Sequence, residues 1–224
     1  MADSALYWSD TLQNLFADPA LSFDPWAMQW QPFEQPAPTD LQAVAAPQAL
    51  LNLGARLRQV PVAVIGPREA SDEEYATAEA MGAALAGHHL QLLCGGKNGV
   101  MEASAKGHLE AGGRPIGLVP EGDWRCANPY VRIPIATGIG KSRNVIIAQS
   151  STVLIAVGGG YGTMSEMAFG LHFDKLVLAL GDAPALPGVV ACTSVDEALN
   201  RTAEHLLQLP EPVDDEADAG AGLS

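Results

Sequence analysis

The chain has 224 residues, 48% of them hydrophobic and 17% charged, enough to bury one sizeable core and to carry an appendage. A net charge of −14 argues against a nucleic-acid partner, because phosphate backbones are held mainly by clustered Lys and Arg. The longest apolar runs, such as Thr152 to Val157, break far short of the roughly 18 residues of a membrane span. The opening MADSALYWSD lacks a basic stretch followed by an apolar one, so no secretory signal is read. Cys94, Cys126 and Cys192 are an odd number without metal spacing, as expected for reduced thiols in the cytoplasm.

Residues 1–46 contain acids but no Lys or Arg, three tryptophans (Trp8, Trp26, Trp30) and five prolines. This N-terminal extension is expected to be irregular with short helical pieces, and its aromatics to dock on the body or on a second subunit. A leading helix follows in PQALLNLGARLRQ, with Pro47 in its first turn and Leu50, Leu53 and Leu57 on one stripe. From there to residue 209 strand-like and helix-like patterns alternate. VPVAVIGP precedes SDEEYATAEAMGAALAGHH, LQLLCGG precedes a helix from about Gly99 to Ala111, and RPIGLVP and YVRIPIAT lead to KSRNVIIAQSS. TVLIAV then runs into GGGYGTMSE and a helix through about Phe173, followed by KLVLAL, GVVACT and the helix SVDEALNRTAEHLLQL. Short apolar strands alternating with helices predict an α/β, Rossmann-like doubly wound fold, its mostly parallel sheet covered on both faces. Residues 210–224, acidic and free of aromatics, are expected to form a disordered tail.

In such sheets a ligand binds beyond the carboxyl ends of the strands. Three strand ends there lead into glycine-bearing loops: Gly66 with Arg68, Gly95 and Gly96 with Lys97 and then Gly99, and Gly158, Gly159, Gly160 and Gly162. Lys141 and Arg143 follow a fourth strand. Four of only twelve basic residues thus fall at one rim, which points to a small anion. Glycines let backbone N–H groups approach a phosphate, and the helix N-terminus behind them adds donors and partial positive charge. The stretch fits neither the dinucleotide fingerprint nor the P-loop with its Lys, so a purely steric turn also stands.

Glu166 has two readings. Thr163-Met-Ser-Glu166 spells a capping box, like Ser71 to Glu74 and Ser194 to Glu197; the alternative is an acid aimed at the ligand. Arg143 near a helix start opposes the helix dipole, which favours a ligand role. The five histidines show no metal-ligand spacing, so no metal site and no catalytic histidine are expected.

The motifs CGGKNGVMEASAKGHLEAGG, TGIGKSRN and GGGYGTMSE, in this order, resemble the LOG-type nucleoside 5′-monophosphate phosphoribohydrolases. They resemble more closely the subgroup of that superfamily containing molybdenum-cofactor carrier proteins. The likeness covers about Pro61 to Leu207. In the enzymes the second glycine motif reads P-G-G-x-G-T-x-x-E, and its glutamate and an upstream arginine serve catalysis; those positions match Glu166 and Arg143. The reaction so implied is hydrolysis of an N-glycosidic bond, releasing base and ribose 5-phosphate, with a carboxylate supporting an oxocarbenium-like transition state.

Lys97 stands where the enzymes carry a third glycine, Glu102 where they carry a last one, Asn144 where they carry lysine, and Gly158 where they carry proline. These departures alter the pocket and spare the phosphate loop, as in the carrier subgroup. The resemblance therefore implies first a carrier of a phosphorylated, nucleotide-like ligand, with molybdopterin as cargo and no required cofactor, and second a phosphoribohydrolase. The ligand would sit on Gly158, Gly159, Gly160, Gly162 and Thr163, walled by Gly66, Arg68, Gly95, Gly96, Lys97 and Gly99, with Arg143, Asn144 and Glu166 setting charge and orientation. The resemblance also implies a homodimer or homotetramer. Lysine decarboxylation, a label often given to these sequences, requires a Schiff-base lysine in a cofactor pocket, and none of Lys97, Lys106, Lys141 and Lys175 lies in such a motif.

Overall fold

Four of the five short strands in the N-terminal segment bury one or two apolar side chains apiece and the fifth, at the edge, buries none, and they make an antiparallel sheet. In the computed structural model, which describes residues 5–208, the strands are β1 (Leu6–Ser9), β2 (Asn14–Asp18), β3 (Leu21–Asp24), β4 (Gln29–Pro32) and β5 (Leu41–Val44). Their order is β4-β3-β2-β1-β5. The expectation of irregular structure with helical pieces is thereby corrected. The segment contains no glycine, so the usual hairpin signal is missing. Its turns instead use left-handed Gln13 and Met28 and aspartate caps, such as Asp24 accepting from the N–H of Trp26 and Ala27.

This sheet docks on the body. Trp8, Leu15, Phe23 and Trp30 are buried in one core with the leading helix and the last helix. Trp30 meets Phe23 edge to face at 5.2 Å and donates through Nε1 to the carbonyl of Leu207 at 3.1 Å. The N–H of Arg58 bonds the carbonyl of Pro25 at 2.9 Å, and the Arg58 guanidinium lies over exposed Trp26.

The leading helix α1 (Ala46–Leu53) carries its proline in the first turn and buries Leu50 and Leu53, with Leu57 just beyond. The body then alternates: β6 (Pro61–Ile65), α2 (Asp72–Gly87), β7 (Gln91–Cys94), α3 (Val100–Glu110), β8 (Ile116–Val119), β9 (Ile133–Ala136), α4 (Arg143–Ser150), β10 (Val153–Val157), α5 (Tyr161–His172), β11 (Leu176–Leu180), β12 (Val190–Ala191) and α6 (Val195–Leu206). The seven strands pair in parallel in the order β12-β11-β10-β6-β7-β8-β9, the doubly wound sheet predicted.

Alternation along the central strands builds both faces. Val62 and Val64 of β6 and Val153, Ile155 and Val157 of β10 join one core with α1, α2, α3 and α6, while Ala63, Ile65, Leu154 and Ala156 join the other with α4 and α5. Full burial on both sides is why these strands read as unbroken apolar runs. Helices α2 and α3 pack closely: a Cβ on Gly82 would run into the carbonyl of Ser104, and one on Gly107 into that of Glu79. Two of the four edge strands, β4 and β9, each contain a proline, Pro32 and Pro134. No helix of the described residues is long and apolar enough to cross a membrane. The acidic stretch 210–224 lies outside the described residues.

Candidate ligand-binding site

All strands of the parallel sheet point the same way, so the loops after β6, β7, β8, β9 and β10 share one rim. β6 and β10 are neighbours, but the chain leaves β6 toward β7 and β10 toward β11. Their connections diverge there, which makes this the topological switch point at which doubly wound sheets take ligands.

The β10–α5 loop lies at that switch point. Gly158 and Gly159 have φ of +58° and +130°, conformations that L side chains rarely adopt. The Gly158 N–H donates to the Leu180 carbonyl at 3.2 Å, which anchors the loop to β11. Gly160 is the N-cap of α5 and supplies no side chain. The first helical bond runs from Met164 N–H to the Gly160 carbonyl, so the N–H groups of Tyr161, Gly162 and Thr163 precede it as free first-turn donors. A Cβ on Gly160 or Gly162 would meet nothing within 4 Å, so the space above this turn is open, and the Tyr161 side chain is 93% exposed. Free donors, an open approach and the positive end of a helix together suit an anion.

The capping-box reading of Thr163 and Glu166 is corrected. Thr163 lies inside the first turn, buried beneath Gly159, and Glu166 turns inward. At Ser71 and Ser194, by contrast, the serine does cap its helix, and the Ser71–Glu74 box is complete. The Glu166 Oε1 atom accepts from Arg143 Nη1 at 2.9 Å, and each side chain is only 8% exposed. Arg143 Nη1 also donates to the Asn144 side-chain oxygen, and Nη2 to the Gly95 carbonyl at 3.3 Å. Its Nε is buried with no partner among the described residues. Burial pushes the Glu166 carboxyl up to about 7, against the opposing pull of the Arg143 charge. The two effects disagree, and desolvation wins because the pair sits beneath the loops rather than at the surface.

Asn144 ties α4 to the first turn of α5, donating through Nδ2 to Ser165 Oγ at 3.0 Å and to the Gly162 carbonyl at 3.3 Å. The glycines of the neighbouring wall are explained by close approach. A Cβ on Gly95 would strike the Arg143 guanidinium, one on Gly99 the carbonyls of Pro67 and Arg68, one on Gly66 the side chain of Val100, and one on Gly96 the side chain of Val119. Lys97 is turned away from the glycine loop. Its Nζ bonds Glu121 Oε1 at 3.0 Å and the Cys126 carbonyl at 2.7 Å, pinning the β8–β9 connection to the end of β7. Of the four rim cations, Arg143 and Lys97 are thus engaged, while Arg68 and Lys141 are exposed and make no ion pair among the described residues.

Two acids at this rim carry no sequence motif for a site. Glu74 spells only a cap, yet a Cβ on Gly158 would run into its Oε1 atom, so a carboxylate borders the phosphate-type loop. Glu121 was legible only as a residue just past a strand end. Cys94 and Cys192 are buried and Cys126 is exposed; burial pushes the Cys94 thiol up to about 11. His108 is buried with Nε2 against the Leu90 carbonyl at 3.0 Å. No group of three or more His, Cys, Asp or Glu able to hold a metal comes together among the described residues.

Residues 59–209, more than half of the sequence, match the SLOG cluster4 family. The chain belongs to that family. An uncharacterized protein of Archaeoglobus fulgidus is 40% identical to this SLOG cluster4 chain over 144 residues, covering 64% of it and 95% of the relative. Its body is similar to the structure of the Moco carrier protein from Chlamydomonas reinhardtii, with 35% identity, a TM-score of 0.63, and coverage of 68% of this chain and 100% of that one. It is also similar to the molybdenum cofactor binding protein of Rippkaea orientalis, with 32% identity, a TM-score of 0.61, and coverage of 65% and 96%.

Proposed function

We propose that this SLOG cluster4 protein binds and carries a small phosphorylated pterin or nucleotide, with molybdenum cofactor as its cargo. The open first turn of α5 carries the reading: Tyr161 to Thr163 present free N–H groups beneath unobstructed space, at the switch point between β6 and β10. The phosphate rests on Gly158, Gly159, Gly160, Gly162 and Thr163, with exposed Arg68 and Lys141 drawing the anion to the rim. Gly66, Gly95, Gly96 and Gly99 form the wall against which the ring lies. Similarity to the molybdenum cofactor binding protein and to the Moco carrier protein supports the pterin cargo.

Carriage ranks ahead of hydrolysis because Glu166 and Arg143 are engaged with each other. An N-glycosidic cleavage is the second reading, favoured by one observation: a buried carboxyl raised to about 7 sits at the same switch point, where a protonated acid can serve a departing base. Incubation with AMP and other nucleoside 5′-monophosphates, with free base and ribose 5-phosphate read by mass spectrometry, separates the two. Carriage predicts no turnover and retention of molybdopterin through gel filtration. Turnover that disappears in Glu166→Gln establishes hydrolysis instead.

The reading includes self-association, through the face where Ile146 of α4 and Phe169 of α5 stand exposed beside the site. Light scattering should give a multiple of 23.4 kDa, reduced to one chain in Phe169→Asp.

A further inference from the structure

Among the described residues, four buried side-chain polar atoms have no hydrogen-bond partner: Asn14 Oδ1, His108 Nδ1, Glu121 Oε2 and Arg143 Nε. The first lies in the N-terminal sheet and the second behind α3. The last two are joined through the end of β7, Arg143 from the start of α4 and Glu121 from the β8–β9 connection: Arg143 reaches the Gly95 carbonyl and Glu121 reaches Lys97, two residues further on. They are of opposite character, one acceptor and one donor. The Glu121 side chain is 40% exposed while its Oε2 atom is shielded and unpaired, so a small turn of the carboxylate offers an acceptor to a ligand donor at the rim.

Glu121 is well placed to meet such a donor. It follows β8, while the glycine loop follows β10, three strand spacings away in the order β10-β6-β7-β8, or roughly 14 Å. That matches the reach of a nucleoside monophosphate or a phosphorylated pterin from phosphate to the far side of its ring. Its backbone is fixed from both sides: the Gly138 N–H bonds the Glu121 carbonyl at 3.0 Å, and the Gly140 N–H bonds the Pro120 carbonyl at 3.0 Å. Lys97 holds Oε1, and although desolvation raises the carboxyl, the Lys97 bond, a hydrogen bond from its own backbone and the Lys97 and Arg68 charges together outweigh it and keep the carboxyl below its ordinary range. The carboxylate is therefore ionised, positioned and still short of a donor.

We propose that Glu121 is the specificity residue of this site, accepting from the adjacent N–H groups of a 2-amino-4-oxo pyrimidine ring, the edge shared by pterins and guanine. Oε1 retains a lone pair beside its bond to Lys97, so the carboxylate has the capacity to accept from two neighbouring donors. Adenine presents one amino group beside a ring nitrogen that is itself an acceptor, and a carboxylate repels that second atom. Lys97, which replaces a glycine of the related enzymes, is then the residue that sets Glu121 in position. This inference rests on the phosphate-loop reading above.

The test is calorimetric binding of GMP, AMP and neopterin monophosphate to the full chain and to Glu121→Gln. The expected result is GMP and the pterin bound at least about ten-fold more tightly than AMP, the size expected of a good charge-assisted contact, with E121Q bringing the ratios to near one while AMP affinity changes less than two-fold. The tighter of the two favoured ligands identifies pterin or guanine as the natural source. Equal affinities in the unmodified chain, or ratios that E121Q leaves unaltered, overturn the Glu121 assignment and leave the phosphate site standing. No binding of any of the three, together with no thermal shift by inorganic phosphate, overturns both. Should E121Q fail to fold, the ratios measured on the unmodified chain decide alone.

Discussion

Replacing Glu166 by Gln tests whether burial or pairing governs the centre of the site. Glu166 has an ordinary value of 4.5 and is raised to about 7 in the folded chain, so the folded state holds its proton where the unfolded state has already lost it. The stability tied to that proton is complete below about 4.5 and is lost as pH rises through about 7. A shift of that size at about 1.4 kcal/mol per unit gives ~3 kcal/mol across the window, and no discount for solvent applies because the side chain is only 8% exposed. Glutamine keeps the acceptor facing Arg143 and does not ionise. Urea unfolding of both chains from pH 4.5 to 8.5 should therefore give nearly equal stabilities at the acid end, with E166Q more stable by ~3 kcal/mol above pH 7. Every other titrating group cancels in the difference curve. A variant less stable than the parent at pH 8, by the ~3–5 kcal/mol that breaking a buried ion pair usually costs, and with a difference independent of pH, would refute the reasoning and return Glu166 to its ordinary carboxylate range.

Trp30→Ala removes a buried indole, its edge contact with Phe23 and its bond to the Leu207 carbonyl. It should cost ~3–5 kcal/mol, and limited proteolysis should release the first 45 residues before the body is cut. Gly158→Ala forces a side chain into a left-handed conformation and against Glu74 Oε1. Thermal melts should show a loss of ~1–3 kcal/mol, and a smaller loss when the same change is made in Glu74→Ala and compared with Glu74→Ala alone, which has already lost its half of the Ser71 capping box, since only the collision and not the backbone strain depends on Glu74. Tyr161→Ala should leave stability within ~0.5 kcal/mol, as for other surface positions, because its side chain is almost wholly exposed; any fall in ligand affinity then reports a direct contact.

The parallel sheet was legible because β6, β7, β10 and β11 are apolar runs of four or five residues between glycine-bearing turns, and burial on both faces leaves no alternation to confuse them. The rim was legible through the rule that places ligands at strand ends. The N-terminal sheet was not. Four- and five-residue strands give too few periods to register, and turns built on Gln13, Met28 and Asp24 offer no glycine to mark them. Within the site, spacing placed Arg143 and Glu166 on the sequence but could not say that they face each other, since that contact depends on how α4 and α5 cross. The same limit hid the side chain of Lys97: a cation at a glycine rim reads as a ligand group until the loop carrying Glu121 and the Cys126 carbonyl folds over it.

The prolines of β4 and β9 bear on how these molecules behave when crowded. β9 exposes Ile133 and Ile135 on either side of Pro134, a sequence that would otherwise invite a neighbouring chain to add a strand and continue the sheet without limit. Pro134 has no N–H to give such a neighbour, and Pro32 withholds the same donor at the end of β4. At the opposite edge of the large sheet β12 is only two residues long, too short to template another strand. At these three of the four sheet edges, contact between copies is thereby steered to side-chain surfaces, where shape limits the number of partners, and away from the backbone, where it does not; the four-residue β5 is the remaining edge. At high concentration such a protein should not extend the large sheet into fibres.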